Sequence, residues 1–81
     1  MIRVKRAASR PPLFRRYTVE FARNADSEPH ERRTLGRGAA VNRLERELGI
    51  GDAWSFIHAA DDAWNRESAD WAVEFEERPH P

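Results

Sequence analysis

The chain has 81 residues, no cysteine, and 14 basic against 14 acidic side chains for a formal net charge of zero. That length makes one small domain, residues 1–81, with a modest core. The missing cysteine removes disulfides, thiolate metal sites and thiol nucleophiles together and points to a cytoplasmic setting, and no apolar run approaches the ~20 residues of a membrane span.

The zero total hides a polarity. Residues 1–43 carry eleven basic and four acidic side chains, net +7, whereas residues 44–81 carry three and ten, net −7. Such asymmetry suits association with a charged partner, or two halves that neutralise each other inside one fold.

In chain order, "MIRVKR" alternates Ile2 and Val4 with basic residues. It reads as a short edge strand or, taken with everything to residue 12, as a flexible basic arm. Pro11-Pro12 then forbids regular pairing. "LFRRYTVEFAR" places Tyr17, Val19 and Phe21 on one face and Arg16, Thr18 and Glu20 on the other, the clearest strand in the chain. "NADSEPHERRT" is polar, contains Pro29 and reads as a loop. Ala40, Val41, Leu44 and Leu48 recur at helical spacing, and Gly49 suits the helix end. Beyond it, Asp52 is a candidate cap, and Ala53, Phe56, Ile57, Ala60, Ala63 and Trp64 form a continuous helical stripe with His58, Asp61, Asp62 and Asn65 pointing outward. "DWAVEFEER" returns to period two, with Trp71, Val73 and Phe75 on one face.

The expected fold is therefore α+β. Two or three antiparallel strands, about 2–6, 14–23 and 70–77, are packed on one face by helices at about 37–48 and 52–66. A βαββ arrangement with 53–60 as a strand is the alternative. The expected common core is Val19, Phe21, Leu44, Leu48, Phe56, Ile57, Trp64, Val73 and Phe75.

Chemistry-bearing motifs are few. "GRGAAV", Gly36 to Val41, is part of a dinucleotide fingerprint, but the polar "HERRT" stands where a strand is needed and no parallel βαβ unit follows. Arg37 with free N–H groups at a helix start retains the option of holding one phosphate. His58 with Asp61 and Asp62 lacks the third and fourth ligands of a metal site. Glu74 and Glu76 resemble the wet side of a strand more than an acid–base pair, and no serine sits in a nucleophile context. Neither catalysis, a cofactor nor a metal is expected. A helix-turn-helix reading of Leu35–Trp64 fails because the second helix presents Asp52, Ser55, His58, Asp61 and Asp62 where DNA readers carry basic or amide side chains.

What remains is recognition. The first expectation is a protein-binding regulator or inhibitor, of the kind that viruses and mobile elements direct against nucleic-acid-handling defence complexes. It would dock on a basic protein surface through Trp54, Asp61, Asp62, Asp70, Glu74 and Glu76. The alternative is a nucleic-acid-binding accessory protein using Arg3, Lys5, Arg6, Arg10, Arg15, Arg16 and Arg37. Self-association, with basic and acidic surfaces meeting between copies, is the third option.

Overall fold

A computed structural model describes residues 1–8 and 15–66 in full and 73–75 as backbone. Its elements in chain order are β1 (Ile2–Ala7), β2 (Arg16–Phe21), β3 (Glu31–Gly36), α1 (Arg37–Leu48), α2 (Ile50–Asn65) and β4 (Val73–Phe75). The sheet has four strands in the order β3-β2-β1-β4, every neighbouring pair antiparallel. Both helices pack on one face, α2 over β1 and α1 over β2 and β3. The fold is a small α+β domain with one core.

The register fixes which residues meet the helices. Tyr17, Val19 and Phe21 of β2 lie opposite Arg6, Val4 and Ile2 of β1, and opposite Leu35, Arg33 and Glu31 of β3. Because directly paired residues share a sheet face, these positions form the helix-covered side. Val4, Tyr17, Val19 and Phe21 are buried there against Ala40, Val41 and Leu44 of α1 and Ala53, Phe56, Ile57 and Ala60 of α2. The β1–β2 ladder gains one more pair, in which Met1 and Ala22 exchange backbone hydrogen bonds of 2.6 and 2.9 Å.

Several expectations are corrected. Residues 2–7 are an inner strand, flanked by β2 and β4, and not an edge strand or a free arm. Residues 31–34, expected as the end of a loop, form β3 together with Leu35 and Gly36. Its helix-facing positions are Glu31, Arg33 and Leu35, so the strand lacks the apolar alternation that betrays β2. Arg43 of α1 supplies the missing cohesion. It binds Glu31 through Nε and Nη2 at 2.6 and 2.9 Å and lies 4.0 Å over the Phe21 ring. The βαββ alternative fails because 53–60 lie wholly within α2.

The helix reversal is one residue long. Gly49 has φ 93°, a conformation that L side chains rarely adopt, and it ends α1 while serving as N-cap of α2. Helix α2 thus begins two residues before the expected Asp52. That residue lies in the first turn, where its charge suits the helix dipole, and does not cap it. Of the expected core, Val19, Phe21, Leu44, Phe56 and Ile57 are buried and Leu48 is partly buried, but Trp64 is 41% exposed. It stands on the last turn of α2, where a guanidinium rather than core covers its ring. The side chains of Val73 and Phe75 lie outside the described residues.

Candidate interaction surface

Trp54, His58, Asp61 and Trp64 follow one flank of α2 at spacings of four, three and three residues, so they stack along the helix beside its buried stripe. The Trp54 and His58 rings are 6.0 Å apart and inclined by 29°. Arg37, the first residue of α1, lies 5.2 Å from the Trp54 ring centre, and Arg6 of β1 lies 5.1 Å from that of Trp64. Each tryptophan therefore carries a guanidinium at cation–π distance while a third or more of its surface stays in water.

Asp61 sits between them, and the structure reverses the expectation that it faces outward. The residue is 9% exposed. Its Oδ1 accepts the Tyr17 hydroxyl at 2.7 Å and Arg6 Nη1 at 3.5 Å, and its Oδ2 accepts Arg15 Nη1 at 3.3 Å. The local cause is the register. Arg6 and Tyr17 are cross-strand partners on the helix-covered face, so their long side chains both reach up to α2. A buried phenol needs an acceptor, and Asp61 is the one that α2 offers. Burial, the bond to Asp61 and the carboxylate charge all push the Tyr17 pKa upward, against smaller opposing effects of Arg37 and Arg15. Arg37 is the exception to this saturation, since its Nε is buried without a hydrogen-bond partner.

The remaining expected contacts are dispersed. Asp62 is exposed on α2. Glu74 occupies the register position opposite Arg3, on the sheet face that α1 and α2 leave open. Asp70 and Glu76 lie outside the described residues. Of the expected acids the described side chains are therefore Asp61, buried, and Asp62, exposed. The basic set divides too. Arg6, Arg15 and Arg37 gather around Tyr17, Asp61 and the tryptophans, whereas Arg3, Lys5 and Arg16 belong to the open sheet face. Arg10 lies outside the described residues. The sequence reading missed Tyr17 as a polar partner and Trp64 as a surface residue. An unpaired tyrosine hydroxyl in a core phase was the available signal for the first.

"GRGAAV" does follow a strand, since β3 runs straight into α1 at Gly36. The described strands all pair antiparallel, however, so among the described residues the strand–helix–parallel-strand topology of a dinucleotide site is not formed. Among the described residues no three His, Asp or Glu side chains converge as metal ligands. A cleft of roughly 120 Å³ opens at the far end of the sheet between Met1, Ile2, Phe21, His30 and Leu48, away from the tryptophan flank. No helix of the described residues is long and apolar enough to cross a membrane. No family model, curated protein or solved structure matches the chain.

Proposed function

We propose that this chain is a non-enzymatic regulator or inhibitor in the cytoplasm that works by binding another protein through the tryptophan flank of α2. One observation carries the reading. Among the described residues the exposed large apolar side chains are Ile50, Trp54 and Trp64, all on α2, and both tryptophans are backed by arginines. Tryptophan and arginine are the residues most enriched at interface positions whose loss costs 2 kcal/mol or more. A rigid helix holding both tryptophans, with arginines from β1 and α1 against their rings, presents such a surface with little ordering cost.

The arginines on this flank support a different kind of partner from the one expected of the sequence. Arg6, Arg15 and Arg37 outnumber Asp61 on this flank, so the complementary surface carries acidic groups rather than the basic groove inferred from the acid-rich second half. Inhibition of a defence complex encoded by a virus or mobile element is the finer form of this proposal. It rests on likeness of type: small, cysteine-free and built for contact.

The test is affinity capture from nuclease-treated cells of the source organism with wild type, Trp54→Ala and Trp64→Ala. The reading requires a protein retained by wild type whose affinity falls by about 2 kcal/mol, roughly 30-fold, in either tryptophan variant. Equal retention by all three chains would overturn it.

A further inference from the structure

The side of the sheet away from the helices carries a second surface. Its three cross-strand rows, read from β1 through β2 to β3, are Arg3–Glu20–Arg32, Lys5–Thr18–Thr34 and Ala7–Arg16–Gly36. No described helix covers them. Over β2 and β3 the middle row is low and polar, with the Thr18 and Thr34 hydroxyls 3.1 Å apart, and Lys5 continues it on β1. Cations rise on either side of it. Arg32, 64% exposed, stands in the first row and exposed Arg16 in the third, where Arg16 is tied only lightly, by a 3.3 Å bond to the Thr34 carbonyl. Ala7 and Gly36 keep the third row small, and the space where a side chain on Gly36 would lie is open. Among the described positions of this face four basic residues meet two acids, Glu20 and the register position of Glu74, a formal charge of +2. Glu20 is 2% exposed and engaged by Arg32 and Arg3, so the outward-reaching groups are cationic.

We infer that this threonine-floored trough binds the phosphate backbone of a nucleic-acid duplex. Adjacent strands about 4.8 Å apart, and alternate residues about 6.8 Å apart along a strand, set guanidinium and hydroxyl donors at intervals that a sugar–phosphate chain can follow. The described rows hold no aromatic side chain to stack an unpaired base, so the donors they do hold fit phosphates without sequence readout. This surface lies on the opposite side of the sheet from the tryptophan flank and stands or falls independently of it.

Fluorescence anisotropy with a labelled mixed-sequence DNA duplex tests the assignment. Engagement of about three phosphates gives a log–log salt slope near −2.7, a loss of roughly 40-fold between 50 and 200 mM salt. Arg16→Gln, whose side chain makes only an exposed contact, keeps the fold, flattens that slope by about 0.9 and weakens binding several-fold at low salt. Arg32→Gln acts in the same direction, with circular dichroism confirming its fold, and Trp54→Ala leaves duplex affinity unchanged. Absence of duplex binding at low salt, or binding insensitive to Arg16→Gln, overturns the inference. So does equal affinity for heparin, which would mark a surface for polyanions in general, or tighter single-strand binding lost in Trp54→Ala, which would move the contact to α2.

Discussion

Asp61 and Glu20 are both buried carboxylates, one on each side of the sheet, and they are held in different ways. Asp61 is on a helix and takes one short bond from a buried phenol and two longer ones from arginines on β1 and before β2. Glu20 is on a central strand and is engaged by Arg32 and Arg3 from the neighbouring strands. Asp61 ties tertiary structure together, since its partners are 44 to 55 residues away in sequence. Glu20 only ties strands that the backbone ladder already pairs. Burial alone does not rank such groups. What their partners do when released decides the cost.

The sharpest way to break this comparison is to remove each carboxylate. Asp61→Ala strands the Tyr17 hydroxyl in the core and leaves Arg6, whose side chain is 16% exposed, without its counter-charge. The expected loss is about 3 kcal/mol, the lower end for breaking a buried pair, because Arg15 is 47% exposed and returns to water. Glu20→Gln keeps the shape and releases the well-exposed Arg32, so about 1 kcal/mol is expected. Urea melts of both variants check the order. A larger loss for Glu20→Gln would mean that the strand face, and not the helix contact, holds the domain together.

Tyr17→Phe isolates the phenol and is expected to cost about 2 kcal/mol, a hydrogen bond to a charged acceptor lost inside a filled core. The same bond gives an alkaline signature. The folded pKa of Tyr17 lies above its ordinary value, so the stabilisation is complete below about pH 10 and is lost as pH rises through the folded pKa. Wild type therefore loses stability above pH 10 more steeply than Tyr17→Phe. Parallel decline of the two in alkaline melts would show that Tyr17 does not control that limb.

These clusters mark where the sequence was legible and where it was not. The phases of β2, α1 and the buried stripe of α2 follow from apolar periodicity, and Val19, Leu44 and Ile57 fall where that periodicity puts them. Strand β3 was hidden because its inward positions include Glu31, which packs by ion pairing with Arg43 rather than by hydrophobic burial. Asp61 was misplaced for a related reason. A helical wheel sorts charged residues outward and cannot see a tyrosine on a strand 44 residues away that needs an acceptor. Trp64 erred the other way. It is in phase with the core, but the helix carries it past the covered region to where Arg6 caps its ring. Of the interaction surface, Trp54 and the arginines were visible as residue types, but their grouping depends on the β1–β2 register, which no local pattern specifies.

Glu31 supplies the smallest test and sharpens the contrast from a third position. It is partly exposed, yet it accepts two bonds from Arg43 and a further contact from Arg33 at 3.4 Å. The Arg43 hydrogen bonds hold its pKa below the usual glutamate range despite an opposing desolvation effect. A depressed folded pKa contributes stability that is present above the unfolded value, near 4.3, and fades as pH falls through the folded value. Wild type should therefore weaken below about pH 4, and Glu31→Gln should show a shallower acid limb. Arg33 serves as the internal control. Its side chain is 62% exposed, so Arg33→Ala should change stability by no more than about 0.5 kcal/mol at neutral pH. Arg43, whose side chain is 16% exposed and lies over Phe21, should cost clearly more when truncated to alanine, since packing is lost along with charge. Thermal melts of the three variants across acidic pH separate these effects. If Arg33→Ala and Arg43→Ala fell equally, the depressed pKa of Glu31 would reflect the general positive field of β3, and the α1–β3 clamp assigned to Arg43 would be withdrawn.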